Sequence, residues 1–64
     1  MNEYIVDLGS FYSGRTIRLK ATNVNEALMA AKKVCYIEQF ERVIQIRDDR
    51  GLFHYDYQFG VIEE

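Results

Sequence analysis

Two stretches in the first third of the chain place an apolar residue at every second position. Residues 3–8 and residues 15–21 both show this alternation, which gives a β-strand one apolar face. A loop bounded by Gly9 and Gly14 separates them, which favours an antiparallel hairpin. The inward-facing residues are Tyr4, Val6, Leu8, Ile17, Leu19 and Ala21. The chain is therefore predicted to begin as two paired strands with one buried face.

The apolar spacing changes to that of an α-helix after residue 23. Asn23 can cap the first turn, and Glu26, three residues later, can act as the reciprocal partner of that cap. The apolar residues that follow fall within an arc of roughly 120° on the helix surface. They are Val24, Ala27, Leu28, Ala31, Val34 and Cys35. We predict a helix that ends near Tyr36 or Ile37.

Two more strands are predicted in the second half of the chain. Residues 42–47 form the third strand, and residues 52–59 form the fourth. Residues 48–51 form the turn between them, in which Gly51 can take a positive φ. The residues predicted on the inner face of these strands are Ile44, Ile46, Phe53, Tyr55, Tyr57 and Phe59.

This turn also predicts a register for the second hairpin. Arg47 lies opposite Leu52, and Ile46 lies opposite Phe53, so that the apolar faces of both strands agree. The predicted element order is ββαββ and the fold class is α+β. One helix packs on a four-stranded sheet in a single domain that spans residues 1–64.

Two strand orders are compatible with this element order. In the preferred β-grasp order, the first and last strands pair in parallel at the centre, which a right-handed crossover connection favours. The other order is fully antiparallel. The segment order is similar to that of immunoglobulin-binding bacterial surface domains and of ubiquitin-like domains. That likeness concerns layout alone and implies no function.

Length and composition exclude several classes of protein. The chain is 48% hydrophobic, which suits one small folded core. Its 64 residues are too few for a two-domain enzyme or a solenoid. A single cysteine, Cys35, and a single histidine, His54, exclude an internal disulfide and a multi-histidine metal site. We expect no metal and no cofactor.

No pattern in the sequence indicates catalysis. A phosphate-binding glycine loop and a nucleophile elbow are both absent. His54 and Asp56 lie two apart on the predicted fourth strand and could touch, but a solvated sheet face offers neither a cleft nor a third group. The chain is therefore predicted not to be an enzyme.

The charge distribution bears on the partner. The formal net charge is −2, without the basic excess that is typical of nucleic-acid binders. Residues 1–33 carry a balance of +2 and residues 34–64 a balance of −4, which predicts that the second half attracts a basic partner. The start of the chain does not resemble a signal peptide and no apolar run is long enough to span a membrane, so we expect a cytoplasmic protein. The small core also makes a homodimer a reasonable hypothesis.

Several aromatic residues lie where the core does not need them. In the preferred layout, the 9–14 loop, the end of the helix and the end of the last strand meet at one pole of the domain. The predicted aromatic residues of this pole are Phe11, Tyr12, Tyr36, Phe40 and Phe59, and the acidic ones are Glu38, Glu41, Glu63 and Glu64. Met29, seven residues before Tyr36 on the helix, extends the same contact or forms a dimer seam.

An aromatic cluster with an acidic rim is typical of a protein-binding patch. We therefore expect a non-enzymatic interaction module that binds a basic protein surface. Its small size is typical of regulators and inhibitors, among them phage-encoded inhibitors of host or defence proteins. The alternative reading of the rings is a cap that closes the open end of the core. A second functional hypothesis is weak nucleic-acid binding by the outer sheet face through Arg18, Lys20 and Arg47.

Overall fold

The alternating stretches and the helical stretch form the elements expected of them. In a computed structural model that describes residues 1–11 and 13–62, one helix packs on a five-stranded antiparallel sheet. The strands are β1 (Asn2–Gly9), β2 (Gly14–Ala21), β3 (Arg42–Asp48), β4 (Phe53–Asp56) and β5 (Gly60–Val61). The helix is α1 (Val24–Val34), and a short 3₁₀ helix spans Ile37–Gln39. The α+β fold and the first hairpin are confirmed.

The strand order is β2-β1-β3-β4-β5, with every neighbouring pair antiparallel. The predicted β-grasp order, with the first and last strands paired in parallel, is wrong. The chain that leaves α1 enters the sheet beside β1 as β3, where Val6 lies opposite Ile46 and neither residue keeps any exposed surface. The short turn after β3 then places β4 beyond β3, so β4 cannot reach β1.

The predicted four-strand count is also wrong, because residues 52–59 do not form one strand. β4 ends at Asp56, and the carboxylate Oδ1 of Asp56 accepts a hydrogen bond from the Gln58 N–H at 2.8 Å. Gly60 follows with a φ of +80°, a conformation that glycine adopts without steric cost. These two features reverse the chain, and β5 pairs back on β4.

A bulge in β3 changes which residues face the core. Asp7 lies opposite Gln45 and Leu8 lies opposite Val43, so Ile44 has no partner on β1. Val43 and Ile46 are therefore the buried residues of β3, and the prediction that Ile44 faces the core is wrong.

A second bulge, at His54, shifts the register of β4. Ile46 lies opposite Tyr55, although Phe53 was the predicted partner. Arg47 lies opposite Phe53, although Leu52 was the predicted partner. Tyr55 packs against the core, but Phe53 is half-exposed. The predicted aromatic face of residues 52–59 is thus divided. The turn itself is as predicted, because the Gly51 N–H donates to the Asp48 carbonyl at 3.1 Å with a φ of +91° at Gly51.

The helix begins as predicted and ends earlier than predicted. Asn23 Oδ1 accepts a hydrogen bond from the Glu26 N–H at 2.9 Å, and Glu26 Oε1 accepts one from the Thr22 N–H at 3.0 Å. Ala27 and Ala31 lie on the sheet, where their small side chains allow close approach. The core between helix and sheet consists of Tyr4, Val6, Leu8, Ala21, Ala27, Ala31, Val43 and Ile46.

Candidate functional site

Phe11 and Phe40 form the centre of the site. Their ring centroids lie 6.0 Å apart at an interplanar angle of 69°, an edge-to-face contact. Phe11 is nevertheless 81% exposed and Phe40 is 65% exposed. The tip of the first hairpin and the segment after the helix are therefore neighbours, as the sequence predicted. They meet despite the different strand order, because β1 and β3 are antiparallel and the end of β1 lies beside the start of β3, with Gly9 opposite Arg42.

The backbone of Phe40 is held in an uncommon conformation. Its φ is +55°, in the left-handed region that β-carbon contacts disfavour for every residue but glycine. The Phe40 N–H donates to the Ile37 carbonyl at 3.1 Å and closes the 3₁₀ helix. This turn leaves both Ile37 and Phe40 mostly exposed.

We call the set Phe11, Ile37, Phe40 and Tyr57 the aromatic end. Two open grooves border it. One, of about 600 Å³, lies toward the helix and reaches Lys32 and Cys35. The other, of about 450 Å³, lies toward the tip of the hairpin and reaches Phe11 and Ile44. Phe40, Arg42 and Tyr57 line both grooves and so form the ridge between them.

An ion pair supports this end of the molecule. Arg15 Nε donates to Glu41 Oε2 at 2.9 Å, and Arg15 Nη2 donates to Glu41 Oε1 at 2.8 Å and to the Val34 carbonyl at 2.8 Å. The same guanidinium lies 4.4 Å from the centre of the Tyr36 ring, a cation–π contact. The Tyr36 N–H donates to Glu41 Oε1 at 3.0 Å. One carboxylate thus ties β2 to the segment that carries Phe40.

This environment changes the acid–base properties of the pair. The hydrogen bonds from Arg15 hold the pKa of Glu41 below its ordinary value, and the bond to Glu41 raises the pKa of Arg15. The Glu41 side chain is only 3% exposed. Glu41, which was predicted to form part of an acidic rim, is therefore an internal ion-pair partner of Arg15. Burial raises the pKa of the neighbouring Cys35 thiol, which favours its neutral form.

The charges that remain at the aromatic end are mixed. Glu38 is exposed on the 3₁₀ helix, and Arg42 and Lys32 line the grooves. Within residues 1–11 and 13–62, neither Arg42 nor Lys32 forms an ion pair. Tyr12, Glu63 and Glu64, also predicted for this pole, lie outside the described residues.

The structure places two other predicted residues elsewhere. Phe59 is 80% exposed and lies with Phe53, Asp56 and Ile62 around a separate cavity of about 270 Å³ on the outer face of the sheet. Met29 is exposed on α1. Tyr36 is half-exposed and lies against Arg15 at the margin of the site.

The outer sheet face carries the second set of predicted residues. Arg18 lies 3.8 Å from a Glu3 oxygen, and Arg47 lies 3.5 Å from an Asp7 oxygen. Lys20 is opposite Glu3 in the strand register. These carboxylates of β1 reduce the positive potential that nucleic-acid binding by Arg18, Lys20 and Arg47 would need.

His54 has a different partner from the one that the sequence suggested. Its Nε2 lies 3.0 Å from Asp48 Oδ2, and its ring meets the Tyr4 ring edge-on at 5.9 Å. The bulge at His54 turns the side chain toward Asp48 and away from Asp56. Asp48 Oδ1 also accepts hydrogen bonds from the Arg50 and Leu52 N–H groups, at 2.9 and 3.0 Å. The pair therefore stabilises a turn.

Comparison with models of protein families, with curated proteins and with solved structures finds no match for this chain. In the part of the chain that the structure describes, no cluster of three or more metal-ligating side chains is present. No helix among those residues is long and apolar enough to cross a membrane.

Two residues of the site, Ile37 and Tyr57, were not predicted from the sequence. A signal for Tyr57 was present, because it follows Asp56 and precedes Gly60 by three residues, a spacing typical of a turn. Ile37 carries no such local signal, and it lies beside a groove because it belongs to the 3₁₀ helix that Phe40 ends.

Proposed function

We propose that this chain is a non-enzymatic protein-interaction module that binds its partner through the aromatic end. The observation that carries the proposal is the contact between Phe11 and Phe40, two rings that pack on each other while most of their surface stays in water. Contiguous exposed apolar surface of this kind is characteristic of protein-binding sites. Its removal from water on binding contributes about 25 cal/mol per Å².

The support beneath the rings makes them suitable as anchors. Phe40 follows a 3₁₀ helix closed by its own N–H, and the Arg15–Glu41 pair fixes the start of that segment through the Tyr36 N–H. Aromatic side chains have few rotatable bonds and so lose little conformational entropy on binding. A partner would therefore meet a surface that is largely formed in advance.

The charges of the described residues favour a partner that presents an apolar side chain with a carboxylate nearby. The groove-lining cations Arg42 and Lys32 form no ion pair within residues 1–11 and 13–62, whereas Glu41 is neutralised by Arg15. An apolar side chain that enters a groove beside Phe40, with a carboxylate close to Arg42, matches this arrangement. A basic partner surface, which the sequence favoured, would find Glu38 as the exposed carboxylate of the 3₁₀ helix.

The test compares two exposed rings with a third. Phe11→Ala with Phe40→Ala removes the centre of the aromatic end, and Phe59→Ala removes an equally exposed ring from a separate cavity. The immobilised proteins are used to capture partners from the source cells, and the captured proteins are identified by mass spectrometry. We expect a partner that the parent protein and Phe59→Ala retain and that the double variant loses.

Melting temperatures distinguish this function from the capping alternative. Rings that are mostly exposed contribute little to folding, so the double variant should melt close to the parent protein. A large fall in its melting temperature, with no partner that depends on Phe11 and Phe40, would show that these rings close the core and would contradict the proposal.

A further inference from the structure

Strand β2 is a long and regular edge of the sheet. It pairs with β1 over the whole of Gly14–Ala21 without a register shift, at a length of about 27 Å. Within residues 1–11 and 13–62, no strand pairs with its other side. The opposite edge of the sheet, β5, has only two residues, Gly60–Val61. Proteins commonly shorten, bulge, cover or charge an exposed edge; β2 is neither short nor bulged, and it carries the exposed cations Arg18 and Lys20.

The hydrogen-bond pattern shows which backbone groups β2 offers. The Ser10 N–H donates to the Ser13 carbonyl at 2.9 Å, and the ladder continues from Gly9 opposite Gly14. Hydrogen-bonded and non-hydrogen-bonded pairs alternate in an antiparallel ladder, so Arg15, Ile17 and Leu19 exchange hydrogen bonds with β1. The N–H and C=O groups of the residues between them therefore point to the open edge. These residues are Thr16, Arg18 and Lys20.

The same three residues carry their side chains on the outer face, and two of them are cations. The Arg18 side chain is 71% exposed and reaches Glu3 only at 3.8 Å. Lys20 is exposed and forms no ion pair with any residue that the structure describes. A strand added beside β2 would place its own outer side chains directly opposite these cations, where opposite charges attract and like charges repel.

A second copy of this chain is a poor occupant of the edge. In the antiparallel registers that pair most of two β2 strands, Arg18 of one copy lies opposite or diagonally next to Arg18 or Lys20 of the other. Like charges at these positions are unfavourable. The cations thus oppose self-pairing and favour an acidic strand.

The helix side of β2 defines the other half of the partner. Ile17 and Leu19 are half-buried and pack against the core on the helix side of β2. Apolar residues at the inward positions of an added strand would cover them.

We propose that the open edge of β2 binds an extended segment of another protein in which acidic and apolar residues alternate. The acidic side chains lie opposite Arg18 and Lys20, and the apolar ones lie beside Ile17 and Leu19. Binding occurs by strand addition, in which the backbone contributes affinity and the alternation contributes specificity. This surface shares no residue with the aromatic end.

The probe is a synthetic peptide that alternates glutamate and valine, and its control replaces each glutamate by lysine. Amide hydrogen exchange is followed residue by residue in the whole protein. In the free protein, the amides of Thr16, Arg18 and Lys20 should exchange faster than those of Ile17 and Leu19. The acidic peptide should slow exchange at the first three, while the lysine peptide leaves them unchanged.

A charge-reversal variant and a backbone-blocked peptide complete the test. Arg18→Glu with Lys20→Glu should reverse the preference between the two peptides. N-methylation of the acidic peptide at alternate residues, on the edge that faces β2, should abolish binding. The proposal is overturned if the three amides are already protected at low protein concentration, or if the two peptides act alike. It is also overturned if protection rises with protein concentration alone, which would identify a second copy as the occupant.

Discussion

The guanidinium of Arg15 and the carboxylate of Glu41, 26 residues apart, are joined by two hydrogen bonds of 2.9 and 2.8 Å. Arg15 belongs to β2 and Glu41 precedes β3, so the pair joins an edge strand to the segment that carries the aromatic end. Bidentate pairs of this kind are geometrically specific and stronger than neutral hydrogen bonds. The pair therefore holds the segment that carries Phe40 against β2.

Glu41→Gln should destabilise the fold and weaken partner capture together. The amide cannot accept both Arg15 hydrogen bonds, and it leaves the guanidinium without its counter-charge. We expect a melting temperature several degrees below that of the parent protein at neutral pH. The matched control is Glu38→Gln, since Glu38 is exposed on the neighbouring turn. Equal melting temperatures for the two variants would contradict the supporting role of Glu41.

The same variant predicts a pH dependence. The pKa of Glu41 is lower in the folded protein than in the unfolded chain, where a glutamate titrates near about 4.3. The stabilisation is therefore present above that unfolded value and is lost as the pH falls through the folded pKa. The difference in melting temperature between the parent protein and Glu41→Gln should narrow as the pH is lowered below about 4. A difference that stays constant to lower pH would show that the carboxylate charge does not matter.

Asp48 provides a second acid-sensitive contact, in the β3–β4 turn. The hydrogen bond with His54 is the largest cause that lowers the pKa of Asp48, and hydrogen bonds from the Leu52 and Arg50 N–H groups lower it further. Stability from this group is likewise full above the unfolded value of about 3.9 and is lost as the pH falls through the folded pKa. Asp48→Asn should lower the melting temperature at pH 7 and flatten its decline in acid. The control is Asp49→Asn, at the exposed position next in the chain. It should change neither the melting temperature at pH 7 nor its decline in acid.

The parts of the fold that could be predicted from the sequence are those set by local chemistry. The Asn23 cap, the positive φ at Gly51 and the alternation of residues 3–8 each depend on a few neighbouring residues. The strand order depends instead on which distant strand pairs with β1. The burial of Val6 against Ile46 decides it, and such a pairing leaves no local mark in the sequence.

The bulge at His54 explains why the aromatic face predicted for residues 52–59 was wrong. Strict alternation places Phe53 and Phe59 with Tyr55 on the core face, but one extra residue at His54 moves Phe53 to the other face. The contact of Phe11 with Phe40 could be expected, because it needs only that two loops lie at the same end of the sheet. The role of Glu41 could not, since its partner Arg15 lies on a strand far away in sequence.

The bulge in β3 predicts that mutation of two nearby isoleucines lowers the unfolding free energy by different amounts. Ile46 has no exposed surface, and Ile46→Val should cost about 0.5–1.5 kcal/mol of unfolding free energy through the cavity that it leaves. Ile44 lies outside the core beside Gly9, so Ile44→Val should cost clearly less. Urea unfolding of the two variants measures both values. Equal losses at the two positions would mean that strict alternation continues through β3 and that the bulge is absent.

Phe40 is the residue at which folding and binding should separate. At a φ of +55°, a β-carbon costs roughly 1–2 kcal/mol, which glycine avoids. In the interior of a helix or strand, alanine is more stabilising than glycine. Here Phe40→Gly should be more stable than Phe40→Ala, and close to or above the parent protein, because the ring that both variants lose is mostly in water. Both should lose partner capture. Thermal unfolding ranks the pair, and a Phe40→Ala variant more stable than Phe40→Gly would contradict the left-handed backbone. Capture of the partner by either variant at the parent level would show that binding does not need the Phe40 ring.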